Sequence, residues 1–219
     1  MKERKKIGIM TWYTYRNYGT ALQASALSHV ISELGYDNEV ISYLPRNRVE
    51  APQKIAFVSL IKKVVVKLLK RGRNRYTSVK QKNIYETYYK TRIRESVKCR
   101  TYSELHDFNE KYDAFVCGSD QIWSPLCFDE MYFLSFVEET DKMISYAPSI
   151  GSFEIRDAQI KDRMTKLISR FKHLSIREQQ GAEIIKLLTG KETKVVLDPT
   201  LLLDAEDWID YANIKNCMR

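Results

Sequence analysis

"YDAFVCGSDQIWSP", residues 112–125, changes character at its middle. Ala114, Phe115, Val116 and Cys117 form a short apolar run between polar neighbours, the pattern of a strand buried on both faces. Gly118, Ser119, Asp120 and Gln121 then turn the chain, and Trp123 stands close to Pro125. In open parallel α/β sheets, ligands sit outside the carboxyl ends of the strands. A buried strand that opens into a dense polar turn therefore points to such a sheet, with chemistry at its rim.

The flanking sequence fits that reading. "KIGIMTW" (6–12) predicts a first strand, and "TALQASALSHVISELG" (20–35) a helix. In it Ala21, Leu22, Leu27, Val30, Ile31 and Leu34 recur near the helical period, and Gly35 is the stop. "NEVISYL" (38–44) predicts a second strand. Beyond the opening stretch, "KMISYAPSIG" (142–151), "HLSIRE" (173–178) and "TKVVLDPTLLL" (193–203) predict strands. Helices are expected at 103–112 with Ser103 as N-cap, at 154–172, at 179–190 and from "AEDWIDYAN" onward. This alternation predicts an α/β fold, a Rossmann-like doubly wound parallel sheet. "YTYRNYG", "GSDQIWSP", "APSIG", "RE" and "DPT" then share one rim.

Composition bounds the class. A length of 219 residues with 44% apolar content suits one large domain or one and a half. Four scattered cysteines without a CxxC pair argue against a disulfide framework or zinc site and favour a reducing compartment. The basic N-terminus precedes too short an apolar run for a signal peptide. No stretch reaches the ~18 apolar residues of a membrane span. A cytoplasmic location is expected. The net charge of +8 arises in one segment: residues 45–105 carry 17 Lys+Arg against 4 Asp+Glu, while the rest of the chain is net acidic. Within it, 53–75 predicts an amphipathic helix, and a second helix is expected at 79–94. The first has two readings: a peripheral contact with an anionic membrane face, or a cover for the sheet with solvated lysines. No nucleic-acid module accompanies the charge, so no specific nucleic-acid partner is expected.

Each rim motif has a functional and a plain reading. "NYGTALQA" (17–24) places Asn17, Tyr18 and Gly19 at a strand-to-helix junction that either binds an anion or is a tight turn capped by Asn17. Ser119, Asp120 and Gln121 form a hydrogen-bonding array, with Trp123 either a stacking platform for a sugar or a core ring behind an Asx turn. Arg177 and Glu178 end a strand. The arginine either forks onto a carboxylate or phosphate, or pairs with its neighbour. Asp198 of "DPT" either orients a hydroxyl and carries protons, or caps a turn before Pro199. His29, His106 and His173 have no metal-ligand spacing, and no metal site is expected.

Taken in order, "NYGTALQASAL", "YDAFVCGSDQIWSP", "ISYAPSIGS", "LSIREQQGAEII" and "VVLDPTLLL" followed by Trp208 resemble the polysaccharide pyruvyl transferase family. The resemblance implies an enzyme that moves the enolpyruvyl unit of phosphoenolpyruvate onto a sugar or lipid-linked saccharide as a pyruvate ketal. It implies a fold similar to the N-terminal domain of a two-domain GT-B transferase, without an obligatory metal or nucleotide cofactor. Arg177 matches the family's arginine in its "RE" motif and would meet the donor. Asp120 and Asp198 would serve acceptor binding or proton traffic, and Asn17, Tyr18, Gly19, Ser119, Gln121, Trp123, Glu178 and Thr200 would line the cleft. Family members are longer and carry a further Arg-x-His motif in a second half. Residues 1–203 then read as the N-terminal domain with 45–105 as a basic helical insert. Residues 204–219 read as the start of a truncated C-terminal domain or a linker helix. The alternatives are a non-catalytic half-domain that binds a glycan or partner, and a GT-B glycosyltransferase that uses a nucleotide sugar.

Overall fold

The computed structural model describes residues 4–14, 17–44, 87–88 and 90–212, with side chains to 209. Four parallel strands, β1 (Lys6–Met10), β2 (Asp37–Val40), β3 (Ala114–Cys117) and β4 (Met143–Ser145), lie in the order β2-β1-β3-β4. A parallel pair, β5 (Ser175–Ile176) and β6 (Lys194–Val195), continues the sheet through a bridge between Ile144 and His173. Two serines stitch this seam. Ser145 Oγ donates to Ser175 O at 2.9 Å, and Ser175 Oγ donates to Ser145 O at 2.7 Å. The fold is thus α/β with a parallel sheet, consistent with the Rossmann-like expectation. The chain steps outward from β1 to β2 and then returns to β3 on the other side of β1, so a topological switch point lies between β1 and β3.

Strand alternation divides the core. Ile7, Ile9, Val40 and Val116 pack with Ala21, Ala24, Leu27 and Ile31 of helix α1 (Tyr18–Glu33) on one face. On the other, Phe115, Cys117 and Met143 meet Trp123, Phe133 and Phe136, together with helices α3 (Ala158–Ser169) and α4 (Gln179–Thr189). Cys117 is wholly buried, which pushes its thiol well above the ordinary range and fits a core residue. Helix α4 stops at Gly190, whose φ of +71° suits the left-handed cap.

Several boundaries differ from expectation. Helix α2 (Tyr102–His106) is capped by Thr101, not Ser103, because Thr101 and Glu104 form a reciprocal capping box, and the chain tightens to a 3-10 turn at Asp107–Glu110. The strand expected over 142–151 closes at Ser145, since Ala147 turns to φ +54° and Pro148 lacks an N–H. Residues 53–75 lie outside the described residues. Of the second basic helix, 87–88 and 90–92 are helical, and Tyr88 meets Ser25 of α1 at 2.6 Å. The chain then runs along the outer edge of β2: Val40 N donates to Arg94 O at 2.8 Å and Ser96 N to Val40 O at 3.0 Å. This covers an edge that would otherwise expose unpaired backbone groups. Last comes α5 (Ala205–Ala212).

One buried charge ties these parts together. The Glu39 side chain on β2 is 8% exposed. Its carboxylate takes Lys6 at 3.1 Å, Lys111 at 2.7 Å and Tyr112 Oη at 2.6 Å, with Arg94 at 3.3 Å. Burial alone raises its pKa, but the hydrogen bonds from Lys111, Tyr112 and Lys6 outweigh that and lower it from 4.5 to about 2. A lowered folded pKa contributes stability above the unfolded value that is lost as pH falls through the folded one. At neutral pH this is worth roughly 3 kcal/mol. Urea unfolding of wild type and Glu39→Gln should therefore show a gap at pH 7 that closes as pH falls from about 4.5 towards 2. A gap independent of pH would refute this account.

Candidate active site

The cavity of interest lies at the switch point, outside the carboxyl ends of the strands. It measures about 290 Å³ and is lined by Asn17, Gly19, Thr20, Gln23, Asp120, Arg177, Asp198 and Thr200. Larger hollows of about 730 and 490 Å³ lie towards the strands' amino ends, at His173 and Lys194 and at Arg4 and Asn38. The rim cavity is preferred because acid, base and amide groups from separate elements converge there.

Helix α1 supplies one wall. Asn17 caps it, its Oδ1 accepting from Gly19 N at 2.9 Å. Gln23, almost fully buried, donates to Trp12 O at 2.8 Å, Thr20 O at 3.0 Å and Thr11 Oγ1 at 3.1 Å, which fixes the helix to the exit of β1. The exit of β3 approaches α1 so closely that a Cβ at Gly118 would stand 2.6 Å from Leu27 Cδ2. This explains the glycine that opens the polar turn.

Asp120 follows with φ +77°, a left-handed conformation that aspartate tolerates better than most side chains. Its Oδ2 accepts from Thr20 Oγ1 at 2.7 Å and its Oδ1 from Gln121 N at 2.8 Å. Its carbonyl accepts from Ser149 N at 2.9 Å, tying the turn to the exit of β4. Each carboxylate oxygen accepts one hydrogen bond and retains capacity for another.

A second network holds the opposite wall. Asp198 Oδ1 accepts from Thr200 N at 3.0 Å and Thr200 Oγ1 at 2.8 Å, and its Oδ2 accepts from Ser119 Oγ at 2.6 Å and Arg177 Nη1 at 3.0 Å. Burial raises the Asp198 pKa, but Ser119, Thr200 and Arg177 together bring it below the ordinary carboxylate range. It is ionised at neutral pH with its acceptors engaged. This suits a group that holds others, not one that delivers a proton. Arg177 approaches Glu178 only at 3.9 Å, so its chief partner is Asp198, not its sequence neighbour. Arg177 Nη2 makes no hydrogen bond to the described residues, and the side chain is 31% exposed.

Asn17, Gly19, Asp120, Arg177, Asp198 and Thr200 thus meet as expected candidates, and others do not. Trp123 has no open face for a sugar: it is 0% exposed, stacked 5.1 Å from Phe133, with its indole N–H donating to Tyr132 O. Ser119 is also 0% exposed and lies behind the cavity wall. Gln121 is exposed, its side chain against Gly151 and outside the lining. Tyr18 is 63% exposed at the start of α1, also outside the lining. Glu178 accepts from Ile150 N at 2.9 Å and braces the β4 exit. Thr20 and Gln23 are additions. Their signal in sequence was two polar side chains, three apart, on the face that carries Ala24, Leu27 and Ile31.

Residues 17–216 match the family model described as polysaccharide pyruvyl transferase. The chain belongs to the polysaccharide pyruvyl transferase family. Comparisons with curated proteins and with solved structures gave no match. The matched span of this pyruvyl transferase-family chain takes in every residue that lines the cavity. Among its described residues no helix is long and apolar enough to cross a membrane, and no three His, Cys, Asp or Glu side chains cluster as metal ligands would.

Proposed function

We propose that this protein transfers the enolpyruvyl unit of phosphoenolpyruvate to two hydroxyls of a saccharide, giving a pyruvate ketal. In the balanced reaction C2 of the donor gains two bonds to saccharide oxygens and loses its π bond to the methylene carbon and its bond to the phosphate oxygen. The methylene carbon takes one hydroxyl proton to become methyl, and the second proton leaves with inorganic phosphate. Such chemistry needs a fixed positive group for the donor and an acceptor for hydroxyl protons. One observation carries the reading: the half-committed guanidinium of Arg177 and the carboxylate of Asp120 face one cavity at the sheet's switch point.

In this reading Arg177 grips an acidic group of the donor with its unengaged edge, and Asp120 accepts a hydrogen bond from a saccharide hydroxyl. Asp198 already offsets part of the arginine's charge. The donor's phosphate and carboxylate therefore require further cations beyond this lining. That requirement favours the GT-B arrangement, with residues 1–203 as one half of a two-domain cleft. The saccharide, free or lipid-linked, approaches along the rim.

Thermal unfolding with phosphoenolpyruvate tests the assignment, because a ligand that binds only the folded state raises apparent stability. At a hundredfold excess over Kd, wild type should rise by about 5–10 °C, and Arg177→Ala should not. A rise with a nucleotide sugar in place of phosphoenolpyruvate would support the glycosyltransferase alternative and overturn this one.

A further inference from the structure

We propose that Ser119 is a positioning residue for Arg177, acting through Asp198. The assignment rests on the reading above in one respect, that Arg177 receives the donor. Ser119 cannot touch a ligand in this arrangement, since it is 0% exposed. It is nevertheless fixed at both ends. Its carbonyl accepts from Thr11 Oγ1 at 2.8 Å, and its hydroxyl donates to Asp198 Oδ2 at 2.6 Å. Arg177 Nη1 reaches that same carboxylate oxygen at 3.0 Å and lies 3.4 Å from the serine hydroxyl.

The geometry of the sheet makes this contact unusual. Ser119 follows β3 and Asp198 follows β6, and β4 and β5 lie between them. At ~4.8 Å per strand, three spacings separate those strands by roughly 14 Å. The two exit loops must lean across the rim to meet, and Arg177, at the exit of β5, donates to Asp198 and more weakly to the serine hydroxyl where they do. Asp198 is oriented by three donors other than the arginine: Ser119 Oγ, Thr200 N and Thr200 Oγ1. Its direction is therefore set independently of the guanidinium that it then aims. Loss of the serine hydroxyl removes the shortest of these bonds and the only one, besides Arg177, on Oδ2. The carboxylate can then turn, and the guanidinium turns with it.

A purely structural role, a weld between two loops, would lower stability without moving the arginine. The variants Ser119→Ala and Ser119→Cys, in the full chain, separate the two roles. The first readout needs no substrate. Guanidinium N–H signals of Arg177, assigned by their absence in Arg177→Lys, should be slow to exchange in wild type. They should broaden or vanish in Ser119→Ala and be partly restored in Ser119→Cys, which keeps a weaker donor. The second is affinity. Phosphoenolpyruvate should bind Ser119→Ala about tenfold more weakly, the effect of roughly one hydrogen bond. Turnover at saturating donor should change less.

Unchanged Arg177 signals in Ser119→Ala, with stability lowered, would make Ser119 a weld only and overturn the proposal. If Ser119→Ala does not fold, the same comparison is made on Ser119→Cys, where unchanged signals again overturn it. If wild type shows the slow signals but does not bind phosphoenolpyruvate, the donor assignment fails while the positioning of Arg177 is still decided by the first readout.

Discussion

Asp120→Asn is expected to lower the rate of ketal formation by about 10²–10⁴-fold, the range for removal of a positioned acid–base group. The substitution is chosen to isolate chemistry from folding. Asparagine tolerates the left-handed backbone at φ +77°, where alanine would add strain. It also keeps an oxygen for Thr20 or for the Gln121 amide, so only the charge and one strong acceptor are lost. Stability should change by less than about 1 kcal/mol, as for most substitutions without a cavity or buried charge. The measurement is initial rate against saccharide concentration, with unfolding followed in parallel. A rate within tenfold of wild type would remove Asp120 from the reaction and leave it as a turn residue that also happens to line the cavity.

Trp123→Ala should act in the opposite sense, on the fold and not on the ligand. The indole is wholly buried, stacked on Phe133 with an interplanar angle of 7° and met edge-on by Phe171. Removing such a ring leaves a cavity and costs about 3–5 kcal/mol. It also leaves the Tyr132 carbonyl without its indole donor. Urea unfolding should show the loss directly, and Trp123→Phe should recover part of it. A loss below about 1 kcal/mol together with weakened saccharide binding would restore the stacking role and require the turn to open on binding.

These two residues show what was legible in the sequence. The run "AFVC" followed by Gly, Ser and Asp correctly signalled a buried strand with a polar exit, because burial on both faces leaves no alternation. Helix α1 followed from its helical spacing and from Gly35 beyond its end, Asn17 as its cap was one of two readings of that junction, and α4 was expected at 179–190. The direction of Trp123 did not follow. In an irregular turn neither the strand nor the helix period applies, so nothing in "DQIWSP" says which side faces inward. The Ser119–Asp198 bond joins residues 79 apart across two intervening strands, and no local pattern encodes it. The partner of Arg177 was hidden for the same reason: adjacency offered Glu178 as one of two readings, whereas the folded rim gives Asp198. The acidic centre at Glu39 was equally silent, since Lys6, Arg94, Lys111 and Tyr112 gather around it only through strand pairing.

Transfer can be followed atom by atom. The purified chain would be incubated with phosphoenolpyruvate and a panel of saccharides that present paired hydroxyls, and phosphate release and the ketal methyl signal would be followed together by NMR. The account predicts equal amounts of phosphate and ketal methyl, dependent on one class of saccharide and lost in Asp120→Asn. Phosphoenolpyruvate left intact by a chain that consumes a nucleotide sugar with the same saccharides would contradict it.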